Sequence, residues 1–232
     1  MQFAGIQKTT LLDYPGKVAC LLFTYGCNMR CPFCHNPELV VRSAPPSAFI
    51  SEDDIFKFLE KRKSLLDGVA ITGGEPLLHK ELPSFIRKVR KLGFKIKLDT
   101  NGSFPELLKK YDKIVDYWAM DVKNSDDLYY RTTGVEVDMQ KIRASIKHIM
   151  QSGVDYEFRT TVIPGFHDEK SMQGVGRLVR GAKRFYIQNF IPSEMIDPTL
   201  KIVRGFSVKQ LEEFKKILQK FVREVEVRNA VV

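Results

Sequence analysis

Six short apolar segments recur along the chain, and each after the first is preceded by a stretch of helical periodicity. They read VACLLFTYG (18–26), GVAITGG (68–74), FKIKLDTNG (94–102), YWAMDVKN (117–124), VDYEFRTTVIPG (154–165) and RFYIQNFIP (184–192). Helical patterns fall near 52–66, 80–92, 104–111, 138–151, 169–181 and 207–223; in the last, Leu211, Phe214, Leu218, Phe221 and Val222 mark one face. Parallel strands cannot be joined by a tight turn and need a crossover, so this alternation predicts βαβ units. Six units make an α/β chain whose parallel sheet closes partway into a barrel or stays open. Pro45 and Pro46 fall in a loop before Ser51, and Ser51 with Asp54 has the form of a capped helix start. With no linker-like stretch, a single domain over 1–232 is expected.

At 44% hydrophobic and 28% charged residues the chain is composed like a globular protein, so disorder is excluded as its default. A net charge of +9 favours anionic partners. The basic runs Lys61 to Lys63, Arg87 to Lys91 and Lys209 to Lys220 lie on amphipathic helical patterns, most of which also carry acids, and read as solvated faces. Aromatic residues are not interleaved with them as a stacking platform needs, so no nucleic acid is expected as partner. The N-terminus reaches no long apolar run, and VACLLF (18–23) is too short to span a bilayer, so neither a signal peptide nor a membrane partner is expected. Four cysteines, three of them within eight positions, do not form a disulfide framework; a reducing, cytoplasmic compartment is the simpler reading.

Polar or glycine-rich residues cluster where each predicted strand ends: CNMRCPFCHN after the first, GGEP after the second, DTNG after the third, MDVK in the fourth and RTTVIPG in the fifth. In parallel α/β folds the C-terminal strand ends form the ligand face. Five motifs therefore converge on one rim.

Cys27, Cys31 and Cys34, spaced C-x3-C-x2-C, occupy a loop broken by Asn28, Arg30 and Pro32. Three thiolates with His35 have the makings of a zinc site, but adjacent Cys34 and His35 point apart and no second ligand pair exists. Thiolates also hold [4Fe-4S] clusters, for which four cysteines are usual; three leave one iron open to a substrate. Cys20, in the middle of an apolar strand, reads as a small hydrophobe. Gly73 and Gly74 let backbone approach a ligand closely, with a tight turn as the plainer reading. Asp99 and Asp121–Lys123 place carboxylates and an ammonium at neighbouring strand ends, which also fits a salt bridge or an Asx-turn. An inward Arg159 needs an anionic partner to offset its burial.

Together, GIQKTTLLDYPGKVAC, CNMRCPFCHNPEL, TGGEPLL, LDTNG, MDVK and RTTVIPGFHD, from about residue 4 to about residue 190, resemble the radical S-adenosylmethionine (SAM) superfamily. Within it the chain is similar to the activating enzymes of glycyl radical enzymes, closest to those of anaerobic ribonucleoside-triphosphate reductase and near those of pyruvate formate-lyase. The resemblance implies a partial (β/α)6 barrel. It implies that Cys27, Cys31 and Cys34 bind three irons of a [4Fe-4S] cluster while SAM chelates the fourth. It places Phe33 and His35 against the adenine, and Gly73, Gly74, Glu75 and Pro76 at the amino group of SAM. Asp99 and Asp121, followed by Val122 and Lys123, come near its carboxylate, in some members around a monovalent cation; Lys123 and Arg159 meet the cofactor. One departure is that Asn189 to Ser193 supply no histidine where some relatives have a cofactor contact. His167 reads as a turn cap rather than a metal ligand.

The implied activity is reductive cleavage of SAM to a 5′-deoxyadenosyl radical that takes the α-hydrogen of one glycine in a partner enzyme. The expected partners are anaerobic ribonucleotide reductase and a low-potential electron donor such as flavodoxin or ferredoxin. Alternatives are activation of pyruvate formate-lyase or another glycyl radical enzyme, small-molecule chemistry like that of 7-carboxy-7-deazaguanine synthase, and a zinc-bearing nucleic-acid module.

Overall fold

The computed structural model describes residues 1–40 and 49–229, so the Pro45–Pro46 loop lies outside the described residues. The elements run β1 (Gln2–Phe3), β2 (Gly5–Thr10), β3 (Ala19–Thr24), α1 (Pro37–Val40), β4 (Ile50–Ser51), α2 (Glu52–Lys61), β5 (Gly68–Gly73), α3 (Leu82–Lys91), β6 (Lys95–Thr100), α4 (Pro105–Leu108), β7 (Tyr117–Asp121), α5 (Tyr129–Thr133), α6 (Met139–Gln151), β8 (Asp155–Val162), α7 (Glu169–Leu178), β9 (Arg184–Asn189), α8 (Val208–Leu218) and β10 (Glu224–Arg228). β1 and β4 form a small antiparallel ladder. The other eight strands form one sheet in the order β10-β9-β8-β7-β6-β5-β3-β2, parallel throughout except between β2 and β3.

β3 and β5 to β9 are the six segments expected from the sequence. Their apolar runs are buried because helices cover one side of the sheet: Trp118, Phe158, Phe185 and Ile96 are all but inaccessible. On α3 the spacing of Leu82, Phe85, Ile86 and Val89 puts all four on the buried face, and on α6 Ile142, Ile146 and Ile149 do the same. Ser51 caps α2, its Oγ accepting the Asp54 N–H at 3.1 Å. Residues from β3, β6, β7, β8 and β9 line one cavity, while β2 and β10 stay unpaired with each other. The sheet thus curls partway into a barrel.

Two flanking strands are additions to the expected pattern. β2 (GIQKTT) has little burial on either face, and β10 (EVEVR) begins where the helical pattern was read through 223. The helix stops at Leu218, so Phe221 and Val222 lie in the turn before β10, not on the helix face. Both still pack on the apolar core, which is why they kept the helical spacing. Among the described residues no helix is long and apolar enough to cross a membrane.

Candidate active site

A cavity of about 400 Å³ opens at the C-terminal ends of the parallel strands. It is lined by Cys27, Cys31, Phe33, Cys34, His35, Gly73, Gly74, Pro76, Asp99, Asp121, Lys123 and Arg159. Of the residues read from the sequence, only Glu75 and Val122 are absent from the wall.

The cysteine loop is held by its backbone. Gly26 N donates to Leu39 O at 2.7 Å, Arg30 N to Thr133 O at 2.8 Å, and the Arg30 guanidinium to Cys27 O at 2.7 Å. The end of β5 latches onto its start: Gly74 N donates to Thr24 O at 3.0 Å and Glu75 N to Gly26 O at 2.8 Å. A Cβ on Gly74 would stand 1.9 Å from Gly26 O, and Gly73, at φ +115°, has Thr24 N and O at 2.4 Å from where its Cβ would be. Only glycine allows this approach. Burial pushes the Cys31 thiol up to about 11, against the opposing pull of the Lys123 ammonium. Cys27 and Cys34 are pushed the same way, by burial first.

Glu75 turns inward instead of lining the wall. Fully buried, it accepts from Asn101 N at 2.7 Å, Thr100 Oγ1 at 2.9 Å and Leu77 N at 3.2 Å. Burial raises its carboxyl to about 7 despite those three donors. It therefore ties the ends of β5 and β6 together. Val122 is likewise buried and serves through its backbone, its N–H donating to Arg159 O at 2.9 Å and its carbonyl accepting from Thr160 Oγ1.

An ion cluster fills the lumen beneath the cysteines. Arg159 donates from Nη2 to Asp99 Oδ2 at 2.8 Å and from Nε to Asp121 Oδ1 at 2.5 Å. Lys97 pairs with Asp99, and Lys123 Nζ donates to Asp121 Oδ2 at 2.8 Å. Deeper, Glu157 takes a two-point contact from Arg228 and accepts from Tyr117 Oη at 3.1 Å. Burial alone would raise the Asp121 carboxyl, but Arg159 and Lys123 outweigh it and hold it well below the carboxylate range. The partner expected for Arg159 is thus the protein's own pair of aspartates. Lys97, Lys123, Arg159 and Arg228 face Asp99, Asp121 and Glu157, and Asp13 adds a further carboxylate to the wall, so cations and carboxylates balance and the Lys123 ammonium and Arg159 guanidinium reach the cavity as fixed, paired charges.

Phe33 meets Phe166 edge-on at 5.7 Å, and His35 stacks on Phe190 at 5.9 Å with 30° between planes. His35 Nδ1 lies 2.8 Å from Ser193 Oγ, which commits the ring to the loop after β9. Asn189, where a histidine was sought, holds Phe206 by both N–H and carbonyl at 2.9 Å. His167 accepts the Ile163 N–H at 3.2 Å on Nδ1 and reaches Lys123 O at 3.0 Å with Nε2, closing the turn after β8. Cys20 is buried on β3.

Among the described residues, no three Cys, His, Asp or Glu side chains are placed to hold a single metal ion. Three thiols on the wall of one cavity, with a cation beside Cys31, suit a larger sulfur-ligated cluster instead. Lys97, Asn101, Asp13 and Asn229 also belong to the site or its support and were missed. Lys97 had one signal, its place two residues from Asp99 on the same strand face; Asp13 and Asn101 stand inside the motifs GIQKTTLLDYPGKVAC and LDTNG, which carry the resemblance but gave these two residues no role, and Asn229 had no signal, since it follows the edge strand β10.

Residues 21–172 match the family model described as the Radical SAM superfamily. A Methanocaldococcus jannaschii protein provisionally named a glycyl-radical enzyme activating enzyme is 31% identical, over 97% of this chain and 95% of its own. The pyruvate formate-lyase-activating enzyme of Clostridium pasteurianum is 24% identical over 95% of this chain and 96% of its own. Among solved structures, a domain of a pyruvate-formate lyase-activating enzyme from Bacteroides vulgatus superposes with a TM-score of 0.57 at 19% identity, covering 70% of this chain and 99% of that one. Streptococcus suis SuiB bound to S-adenosylmethionine gives 0.67 at 17%, covering 90% of this chain and 52% of that one. These superpositions speak for the fold.

Proposed function

The chain belongs to the radical SAM superfamily, and from that premise we propose that it activates a glycyl radical enzyme, anaerobic ribonucleoside-triphosphate reductase in particular. Membership implies a [4Fe-4S] cluster and SAM. The observation that carries the reading is the convergence of three thiols and a paired ion cluster, with the Lys123 ammonium and Arg159 guanidinium on the wall, in a single cavity.

Cys27, Cys31 and Cys34 hold three irons in this reading, with the Lys123 ammonium favouring the thiolate of Cys31. When bound, the cluster and SAM supply a one-electron cleavage that leaves a hydrogen-abstracting carbon radical. The residues around them bind and orient. Arg159 and Lys123, locked by Asp99 and Asp121, present fixed positive charge to the carboxylate of SAM, at no reorganisation cost during reaction. The bare backbone at Gly73 and Gly74 leaves carbonyls open to an ammonium, and the pair His35–Phe190 with Phe33 makes an apolar wall for a flat ring that excludes water. Asp99 and Asp121 are already covered by tethered cations, so in our reading these take the place of a free monovalent cation.

A glycine is a fitting target, since a loop without a side chain enters deeply. The choice of the reductase is supported by the motif resemblance running from GIQKTTLLDYPGK to RTTVIPGFHD. The reading adds a low-potential donor, a flavodoxin or ferredoxin, and a cytoplasmic setting. The test is electron paramagnetic resonance on reduced, cluster-loaded protein mixed anaerobically with SAM and, separately, the reductase or a pyruvate formate-lyase of the same organism. A glycyl doublet with the reductase alone supports the proposal. A doublet with the lyase alone moves the partner, and SAM cleavage with neither moves the substrate to another glycyl radical enzyme or a small molecule.

A further inference from the structure

Asn101 closes β6 at 6% exposure, directly behind the cysteine loop. Its main-chain N–H is taken by Glu75, and its Oδ1 accepts the Ser103 N–H at 3.0 Å. That second bond fixes which way the side-chain amide faces: the oxygen is committed to Ser103, so the NH2 group points at the cysteine loop. There it donates to Asn28 Oδ1 at 2.8 Å and to Cys27 Sγ at 3.9 Å. Both amide protons are thereby used, one of them on sulfur. Cys27 also receives the Met29 N–H at 3.4 Å.

We propose that Asn101 is a positioning residue that tunes the reduction potential of the cluster by hydrogen-bonding the Cys27 sulfur. The inference rests on the cluster assignment above. Reduction adds negative charge shared between iron and sulfur, and an N–H aimed at a ligating sulfur stabilises the reduced state over the oxidised one. Burial strengthens the effect, because little water competes for the sulfur. Ser103 holds the amide oxygen and Glu75 the backbone, so the NH2 group keeps its aim at the cysteine loop without Asn28.

The test is a potentiometric titration of anaerobically loaded protein, followed by electron paramagnetic resonance in the absence of SAM. Asn101→Leu has similar volume and no donor; Asn101→Asp keeps the acceptor for Ser103 and replaces the donor with a carboxylate oxygen. At the wild-type midpoint the reduced-to-oxidised ratio is expected to fall about fivefold in Asn101→Leu, the worth of one net hydrogen bond, and further in Asn101→Asp. Asn28→Ala, which loosens the loop but leaves the N–H on sulfur, keeps the wild-type midpoint. Unchanged midpoints in the Asn101 variants, or an equal shift in Asn28→Ala, overturn the proposal. Nitrogen hyperfine coupling in wild-type protein labelled with asparagine carrying ¹⁵N at the side-chain amide alone gives a direct check should the variants lose the cluster, and its absence overturns the hydrogen bond. Wild-type protein that binds no iron at all fails the cluster assignment itself, and iron analysis shows this before any titration.

Discussion

Arg228, near the C-terminal end, meets Glu157 in a two-point ion pair with both contacts at 3.1 Å, although 71 residues separate them. The guanidinium also lies over the Tyr186 ring at 3.5 Å. Glu157 is wholly buried, and Arg159 stands 3.9 Å away on its other side. Strand β10 therefore compensates the deepest carboxylate of the lumen, leaving Arg159 to serve Asp99 and Asp121. Arg228→Ala should cost on the order of 3 kcal/mol, because it strands a buried charge, whereas Arg228→Met with Glu157→Leu should cost far less. Urea denaturation of the two variants checks this; equal losses would assign the effect to packing on Tyr186.

Cys31→Ala is expected to abolish bound iron beyond one-tenth of wild type and with it SAM cleavage, whereas Cys20→Ala, on the far side of the fold's chemistry, retains both. Iron and sulfide analysis after anaerobic loading is the measurement. Loss of the cluster in the Cys20 variant would redraw the ligand set.

Gly74→Ala forces a methyl to 1.9 Å from the Gly26 carbonyl, so β5 and the cysteine loop must part. We expect a cost above about 2 kcal/mol and poor cluster loading. Gly165→Ala is the comparison: its φ of +85° is strained for alanine, but nothing lies within 4 Å, so about 1 kcal/mol and normal loading are expected. Equal loading in both would mean that the latch does not govern the loop.

Glu75 and His167 make stability respond to pH in opposite senses. Glu75 titrates near 7 folded against 4.5 as a reference, so the folded state holds the extra proton and stability from this residue falls as pH rises across that window. His167, buried with both nitrogens engaged, is lowered to about 4 from 6.5, so its contribution is whole above 6.5 and is lost as pH falls through 4. Between pH 4.5 and 6.5 the two oppose each other. Relative to wild type, Glu75→Gln should therefore lose about 2 to 3 kcal/mol on acidification through that window. Denaturation series on the metal-free protein test it, and parallel curves would contradict it.

Exchange of sodium or potassium for choline at constant ionic strength should change SAM affinity less than about twofold, since tethered cations already cover Asp99 and Asp121. Lys97→Met should introduce a dependence on the small cation. Isothermal titration in the two salts decides; a strong dependence in the wild type would place a free cation at the site.

The six strand segments, the helices between them and the cysteine loop were legible because each rests on a local period or spacing: apolar runs for doubly covered strands, a repeat of 3.6 for helix faces, C-x3-C-x2-C for the loop. Their order along the chain determined that the polar strand ends share one rim. The structure decided what depends on register and edges. That Asp121 stands beside Arg159 follows from pairing β7 with β8, and no local pattern carries that pairing. β2 shows neither a continuous apolar run nor an alternation, and β10 (EVEVR) alternates over only five residues directly after a helical pattern; each packs on one neighbour only, and the pairing that sets Arg228 beside Glu157 is carried by no local pattern. The inward turn of Glu75 and the aim of Asn101 toward Cys27 likewise come from hydrogen bonds between residues 26 and 74 apart in the chain. Chemistry that resides in residue type and spacing was readable from the chain; side-chain direction, set by long-range packing and the partners that compensate buried charge, belonged to the tertiary structure.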